Sequence, residues 1–247
     1  MKLGVNIDHI ATLRNARGGE FPSPLHAAFT VLEAGAFNVT CHLREDRRHI
    51  KDNDIRLISE QTKRLNLEMA ANDEIISIAL EVIPRSITLV PEKRQELTTE
   101  GGLNVVLDIE KYKKINDKFR SKGINVSAFI EPEELQIEAA KKAEFNFIEI
   151  HTGKYAQYLD PLKRYEELTR IKKAAEFALN IGLKVNAGHG LNYENTRDIA
   201  EIAGIYELNI GYSIVAHAVF TGLDNAVKEM LDIIKTAGLI NNCGKLK

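Results

Sequence analysis

Short segments in which apolar and polar residues alternate recur along the chain, and stretches with helical periodicity separate them. In the segment 38–43, for example, apolar residues alternate with Thr40 and His42, which is the period-two pattern of a strand with two unlike faces. The pattern predicts eight strands: Leu3–Asp8, Asn38–Leu43, Asn66–Ala70, Ser86–Pro91, Asn125–Ile130, Phe147–Thr152, Lys184–His189 and Glu207–Gly211. Strands and helices therefore alternate through the chain.

Helix-start and helix-stop residues mark the segments between these strands. The first helix is predicted over residues 23–35, with Ser23 as its N-cap, Pro24 at its first position and Gly35 as its end. Further helices are predicted over residues 52–65, 73–82, 103–122, from 132 onwards, over 160–182 and 192–203, and in a C-terminal region that ends near residue 238. The segment 11–19 is polar, and we expect it to be a loop.

The alternation of strands and helices requires parallel strands joined by crossover connections. An open doubly wound sheet and a closed eightfold barrel both fit this order. Polar residues recur on one face of the strands: Asn6, Asp8, His42, Arg44, Asn66, Glu68, Glu149, His151, Asn186 and Asn209. They favour the barrel, because a sheet covered by helices on both sides would need two apolar faces.

We therefore predict an α/β fold, a (β/α)8 TIM barrel that forms a single domain over residues 1–247 with small extra helices. The tail from about residue 239 to 247 is expected to be poorly ordered. In this fold the active site gathers at the carboxyl ends of the strands. The polar strand residues should therefore face a functional cavity at that end.

Composition and charge narrow the possible partners. The chain has 247 residues, of which 44% are hydrophobic and 28% charged, as in an ordinary globular protein. Its net charge of −2 gives no general attraction for nucleic acid, so an anion must be bound by local donors. Cys41 and Cys243 have no metal-type spacing, which favours reduced thiols and a cytoplasmic protein. No apolar run is long enough for a signal peptide or a membrane span.

Two groups of residues at the predicted strand ends could bind phosphate. Gly190 and Gly211 let main-chain N–H groups approach an anion after the seventh and eighth strands, where such barrels often hold phosphate. The loop 44–49 contains three arginines and His49, and guanidinium groups suit phosphate oxygens. Thr98 could add a hydroxyl donor. Two anion sites at one barrel mouth would suit two phosphorylated substrates or one bisphosphate.

Candidate proton carriers lie between these anion sites. Glu68 is predicted to point into the barrel, where partial desolvation raises the pKa of a carboxyl group towards values useful for a base. Glu149 is a second inward carboxylate, and the imidazoles of His42 and His189 can exchange protons near neutral pH. No lysine occupies a mid-strand inward position, which weakens the case for an enzyme Schiff base. Histidines and carboxylates could instead hold a divalent metal ion, although no local ligand spacing supports one.

Several blocks of sequence resemble one known family. They are Gly4–Gly18, His42–Ile50, Asn66–Met69, Leu89–Glu96, Phe147–Gly153, Lys184–Gly190 and Glu207–Gly211. Among them, Gly4-Val-Asn-Ile-Asp-His9 and Val185-Asn-Ala-Gly-His-Gly190 end at predicted site residues. The chain resembles the pyridoxine 5′-phosphate synthase family of the deoxyxylulose-dependent vitamin B6 pathway. The blocks run almost from end to end and include all the predicted strand ends except the fifth.

The resemblance implies an enzyme without metal or cofactor that condenses 3-amino-2-oxopropyl phosphate with 1-deoxy-D-xylulose 5-phosphate. The products would be pyridoxine 5′-phosphate, inorganic phosphate and water. The resemblance implies His42 and Glu68 as proton acceptors, His189 as proton donor and Glu149 as charge stabiliser. The residues implied for binding the aminoketone phosphate are Asn6, Arg17, Gly190, Gly211 and Tyr212. Those implied for the deoxyxylulose phosphate are Asp8, His9, Arg44, His49 and Thr98. The family also implies a homo-octamer.

One position departs from the family pattern, and two other functions stay open. Tyr212 follows Gly211 where the family pattern has histidine; a contact through the main-chain N–H would tolerate this change, whereas a contact through an imidazole would not. The first alternative function is a metal-dependent phosphosugar epimerase or aldolase, which a chelator would inactivate. The second is a barrel that binds phosphometabolites as a sensor and would not need Glu68.

Overall fold

The computed structural model describes residues 1–92 and 101–243, with side chains described up to residue 238. Within this part, eight parallel strands form a closed barrel in which each strand pairs with the next and the last pairs with the first. The strands are β1 (Lys2–Asn6), β2 (Asn38–His42), β3 (Leu65–Met69), β4 (Ser86–Leu89), β5 (Asn125–Ile130), β6 (Phe147–His151), β7 (Lys184–Gly188) and β8 (Ile205–Ile210). The predicted TIM barrel is confirmed.

Helices surround the barrel and connect its strands. They are α1 (Asp8–Arg17), α2 (Pro24–Glu33), α3 (Asp52–Thr62), α4 (Asp73–Val82), α5 (Ile109–Arg120), α6 (Glu134–Lys142), α7 (Gly153–Gln157), α8 (Pro161–Asn180), α9 (Thr196–Ala200), α10 (Tyr212–Thr221) and α11 (Leu223–Cys243). Ser23 caps α2 and Pro24 opens it, as predicted. None of the helices in the described residues is both long and apolar enough to cross a membrane.

Helix α1 lies where the sequence predicted a polar loop, and that prediction was wrong. The segment contains no glycine or proline before Gly18, which ends the helix with a left-handed φ of 65°. The helix is held by a polar contact, because the guanidinium of Arg14 makes two hydrogen bonds of 2.6 and 2.9 Å to the Asp54 carboxylate of α3. Both side chains are buried. A helix anchored in this way lacks the apolar stripe that periodicity detects.

Several other boundaries also differ from the predictions, as for α9, which covers Thr196–Ala200 instead of 192–203. The helix expected over 103–122 divides into a 3-10 turn at Val105–Leu107 and helix α5. It divides there because Asp108 lies in an extended-like conformation and its carboxylate accepts a hydrogen bond from the Lys111 N–H, which caps α5. Helix α11 continues to Cys243, beyond the predicted end at residue 238. Thr98 and the last residues of the predicted tail, 244–247, lie outside the described residues.

The two faces of the barrel strands have opposite character. Outward side chains pack against the helices in one apolar cluster; fully buried examples are Val5, Val39, Leu67, Ile87 and Val126. Inward side chains are polar and bond to one another from strand to strand inside the barrel. Glu149 accepts from Asn209, Asn209 accepts from Thr40, Thr40 accepts from Asn66, and Asn66 accepts from Ser86. The predicted alternation of the strands is therefore confirmed, and the inward face leads to a site.

Candidate functional site

A cavity of about 480 Å³ opens at the carboxyl ends of the strands. Its lining contains Asn6, Asp8, His9, His42, Arg44, Glu68, Glu149, His189, Gly190, Gly211 and Tyr212, together with Val90, Pro91, Gly101, Phe129 and Asn209. Most of the residues predicted from the sequence therefore meet in one place. Three do not line the cavity as described: Arg17 and His49 lie outside its lining, and Thr98 lies outside the described residues.

Three carboxylates converge on the floor of this cavity. The Asn6 side-chain amide donates to Asp8 Oδ2 over 2.9 Å and to Glu68 Oε2 over 3.4 Å. Burial, followed by the negative charges of Glu149 and Asp8, raises the pKa of Glu68 well above its usual value, and the bond from Asn6 offsets only part of that shift. The Glu68 carboxylate is therefore a stronger base than that of an ordinary glutamate.

Glu149, on β6, has a similarly buried environment. Burial raises its pKa to about 8, against the hydrogen bond from Asn209 and with a further contribution from Glu207. The bond from Asn209 Nδ2 to Glu149 Oε2 is 2.6 Å long. A carboxyl group that exchanges its proton near neutral pH can take up or release that proton as charge develops on a substrate.

His42 is oriented by Glu92, which the sequence analysis did not identify. Nε2 of His42 lies 3.0 Å from Glu92 Oε1, and the other carboxylate oxygen accepts the N–H of Glu45 over 3.1 Å. Burial raises the pKa of Glu92, but these bonds outweigh it and the pKa is lowered overall. An ionised Glu92 requires Nε2 of His42 to carry the proton, so Nδ1 is the ring nitrogen left to accept one. The Asp8 carboxylate fixes the same strand end by accepting the His42 N–H over 2.9 Å.

His189 is held in a left-handed conformation, with a φ of 80°. The Thr152 hydroxyl donates to the carbonyl oxygens of Gly188 and His189 over 2.8 and 2.7 Å. The His189 ring lies edge-on to that of His151, with 5.0 Å between centroids. Burial, followed by the charge of His151, lowers the pKa of His189. His151 in turn contacts Glu131, a second carboxylate that the sequence analysis passed over.

The two glycine turns approach their neighbours closely. A Cβ atom at Gly211 would lie 2.8 Å from the Asn6 Cβ, and one at Gly190, whose φ is 79°, would lie 2.7 Å from the Ala156 Cβ. Only glycine fits at either position. Gly211 is followed at once by the ten-residue helix α10, whose first N–H groups are suited to an anion. The turns therefore have the form that the phosphate prediction requires.

The side chain at the start of α10 contacts a histidine from α1. The rings of Tyr212 and His9 meet edge-on, with 5.2 Å between centroids, and Tyr212 is 70% exposed. The Nδ1 atom of His9 is buried and has no hydrogen-bond partner among the described residues.

Only part of the predicted arginine cluster faces the cavity. Arg44 lines it, and its Nη2 lies 3.9 Å from Glu92 Oε2. Arg47 instead pairs with Asp52 and Glu74 on the outside of the barrel. The His49 ring lies near the His42 ring, with 6.1 Å between their centroids. Its Nδ1 accepts the N–H of Ile50 over 2.9 Å.

Among the residues that the structure describes, Asp8, His42 and Glu68 form a group that could hold a metal ion. Each offers one ligand atom, and these atoms lie within 4.8 Å of one another. One imidazole and two carboxylates suit several divalent metals. Sequence spacing could not reveal this set, because its members come from three different strand ends.

Comparisons with known proteins agree with this geometry. Residues 3–236 match the family model described as pyridoxal phosphate biosynthesis protein PdxJ. The chain is 54% identical over 235 residues to the pyridoxine 5′-phosphate synthase of Geotalea daltonii, covering 95% of this chain and 98% of that one. It is also 54% identical over 229 residues to the pyridoxine 5′-phosphate synthase of Aliivibrio fischeri, covering 92% and 94%.

A solved structure supports the fold alone. The structure of KGPDC from Streptococcus mutans superposes with a TM-score of 0.64 at 12% identity, covering 95% of this chain and 97% of that one. At this identity the likeness concerns only the barrel.

Proposed function

Because this chain belongs to the PdxJ family of pyridoxal phosphate biosynthesis proteins, we propose that it condenses 3-amino-2-oxopropyl phosphate with 1-deoxy-D-xylulose 5-phosphate. The products are pyridoxine 5′-phosphate, inorganic phosphate and water. The observation that carries this proposal is the cavity in which two carboxyl groups with raised pKa values, Glu68 and Glu149, face two imidazoles, His42 and His189. A ring-forming condensation moves several protons, and each positioned acid or base contributes roughly 10²–10⁴-fold.

In this proposal each of the four groups has one role. Nδ1 of His42 and the carboxylate of Glu68 accept protons, His189 donates one, and Glu149 balances charge that develops on the intermediate. The lowered pKa of His189 makes its protonated form a stronger acid than an ordinary imidazolium. The raised pKa of Glu68 makes its carboxylate a stronger base than an ordinary glutamate.

Each phosphorylated substrate has its own group of binding residues. The aminoketone phosphate is bound by Asn6, Arg17, Gly190, Gly211 and Tyr212, and the deoxyxylulose phosphate by Asp8, His9, Arg44, His49 and Thr98. The place of His9 in the cavity lining and the start of α10 support these assignments. Arg17 and His49 do not line the cavity as described, so their roles rest on the family resemblance.

The nitrogen that joins the two substrates comes from the aminoketone. No lysine is among the described residues that line the cavity, and an enzyme Schiff base would need a buried lysine with a lowered pKa. The substrate amine therefore attacks the ketone of the partner substrate directly. The protein's groups then move the protons that each loss of water requires.

The assembly and location of the protein are also proposals. Phe21, Leu159 and Phe220 expose 81%, 97% and 88% of their surface, and contacts between subunits would bury such apolar side chains. They support a homo-oligomer, an octamer by family resemblance. The cysteine pattern supports a cytoplasmic location. The proposed partners are the two phosphorylated substrates, without nucleic acid or membrane. We also propose that residues 1–247 form a single domain.

One observation favours a second function. The proximity of Asp8, His42 and Glu68 would suit a metal-dependent phosphosugar epimerase or aldolase. Turnover that survives complete removal of divalent metal by a chelator would contradict it. A phosphometabolite sensor, in contrast, would bind both phosphorylated compounds but would turn neither over. Its binding would stay unchanged in a Glu68→Gln variant.

The direct test is to mix the protein with both substrates after chelator treatment. We expect pyridoxine 5′-phosphate, detected by its absorbance, and an equimolar release of inorganic phosphate. Either substrate alone is the control and should give neither signal. The absence of pyridoxine 5′-phosphate under all conditions, with or without metal, would overturn the proposal.

A further inference from the structure

The turn that carries His189 rests on the end of the neighbouring strand. We call residues His151, Thr152 and Gly153 the β6 cap. The Thr152 hydroxyl holds the backbone of the turn by two hydrogen bonds, as described above. The His151 ring contacts the His189 ring from the side, and Phe129 lies 4.9 Å from His151 and 6.1 Å from His189, measured between centroids. The orientation of His189 therefore depends on the β6 cap.

Glu131 fixes the His151 ring from behind. Its Oε1 lies 2.7 Å from His151 Nδ1 and accepts the Gly102 N–H over 2.9 Å. Glu131 is 1% exposed and His151 is 9% exposed, so the contact is shielded from water. A buried carboxylate needs donors, and so the proton of His151 lies on Nδ1. If the ring rotated, this buried carboxylate would lose its bond to Nδ1 and would keep the one from the Gly102 N–H.

Gly153 completes the arrangement by leaving room for both rings. A Cβ atom at this position would overlap Nε2 of His151 and would lie 3.1 Å from Cδ2 of His189. The φ of Gly153 is not in the left-handed region, so backbone conformation does not require glycine here. Space for the two imidazoles does.

We propose that Glu131 and His151 form a positioning pair for His189. Glu131 holds the His151 ring, and that ring sets the direction in which the His189 imidazole faces the substrate. In other acid–base sites a carboxylate orients the catalytic histidine directly. Here the His151 imidazole lies between the Glu131 carboxylate and His189. This inference rests on the proposed role of His189 as proton donor.

The first test is His151→Asn. The asparagine amide can still donate to Glu131 from near the position of Nδ1, but it lacks the outer ring atoms that contact His189. We expect kcat to fall by about 10–100-fold, the cost of misplacing a catalytic group by about 1 Å, while KM changes by less than about threefold. An unchanged thermal unfolding midpoint would show that the fold is intact.

Gly153→Ala is the second test and leaves Glu131 and His151 chemically unchanged. The added methyl group displaces the two rings, so kcat should again fall by about tenfold or more. Gly238→Ala is the matched control, because Gly238 is also helical, lacks a left-handed φ and has nothing within 4 Å of a Cβ. That variant should retain wild-type kcat.

A double-mutant cycle with His189→Asn separates positioning from general damage. His189→Asn alone should lower kcat by roughly 10²–10⁴-fold. If His151 acts through His189, then His151→Asn should lower kcat less than about twofold further in this background. A full second loss of about 10–100-fold would overturn the proposal, as would wild-type kcat in both His151→Asn and Gly153→Ala. Wild-type kcat in His189→Asn would instead overturn the proposed role of His189, and the positioning pair with it.

Discussion

Nε2 of His42 lies 3.0 Å from Oε1 of Glu92, so a carboxylate beyond the end of β4 controls an imidazole at the end of β2. The two side chains are 13% and 5% exposed, which keeps water from competing for the contact. The same carboxylate accepts the Glu45 N–H and thereby holds the loop that follows β2. Glu92 therefore fixes both the tautomer and the position of His42.

Glu92→Gln should lower kcat by about tenfold or more with a smaller change in KM. The amide keeps the length of the side chain but removes the charge that places the proton on Nε2 of His42. Steady-state kinetics with both substrates measures the effect. Glu74→Gln is the control, because this exposed carboxylate pairs with Arg47 on the outer surface. Wild-type kcat in Glu92→Gln would show that His42 does not need its charged partner.

Glu68→Gln should abolish turnover and leave phosphate binding almost unchanged. The amide preserves the shape of the side chain and can still accept from Asn6, but it cannot accept a proton. Turnover is followed by product absorbance, and binding of each substrate by calorimetry. A variant that retains more than about a tenth of wild-type turnover would contradict a role worth 10²–10⁴-fold.

The stability of the protein should fall as the pH rises from about 5 to 8, in part through Glu149. Its pKa is raised to about 8 in the folded protein, whereas an unfolded glutamate titrates near 4.3. The folded state therefore keeps a proton that the unfolded state loses in this range, and each pH unit costs roughly 1 kcal/mol through this group.

Denaturant unfolding of Glu149→Gln at several pH values measures this contribution. The uncharged amide has no proton to lose, so the free energy of unfolding of the variant should rise relative to wild type between pH 5 and 8. Parallel stability curves for the two proteins would contradict the raised pKa. Activity does not enter this comparison.

Arg14→Ala should lower the free energy of unfolding by about 3–5 kcal/mol. The substitution leaves the buried Asp54 carboxylate without its charged partner, and such broken pairs are costly. Arg48→Ala is the matched control, because its pair with Asp46 is exposed to solvent and should contribute far less to the free energy of unfolding. Chemical denaturation of both variants gives the comparison, and equal losses would show that α1 is not anchored by its buried ion pair.

Tyr212→Phe should change substrate affinity by less than about threefold. The inferred phosphate contact at this position is the main-chain N–H after Gly211, which the substitution leaves in place. The phenol is mostly exposed and contacts His9 through its ring, which phenylalanine keeps. A loss of tenfold or more, about 1.4 kcal/mol, would show that the hydroxyl itself binds substrate.

Strand alternation allowed the barrel and the inward residues to be predicted from the sequence, because side chains of a strand must alternate between its two faces. It placed Glu68, Glu149 and His42 correctly on the cavity lining. The partners of the histidines could not be found in this way. Glu92 follows β4, whereas His42 ends β2; Glu131 follows β5, whereas His189 follows β7. Contacts between the ends of different strands depend on the geometry of the closed barrel.

A signal for both carboxylates was nevertheless present. Glu92 and Glu131 each directly follow a predicted strand, at 86–91 and 125–130, which is where functional residues of this fold collect. Helix α1 was missed for a different reason. Its buried residues include the polar Asp8 and Arg14, so the hydrophobic period of a helix is weak there even though the backbone is regular.

The ring-shaped apolar core has a consequence for how this protein can evolve. The side chains that hold the barrel together lie outside the sheet, against the helices, whereas the chemistry lies inside it. A substitution on the inner face therefore removes little buried apolar surface, and its cost in folding comes from the inward hydrogen bonds that it breaks. The side chains that stabilise the fold and those that contact substrate alternate along the same strands. A change of substrate therefore requires new inner side chains on an unchanged outer core.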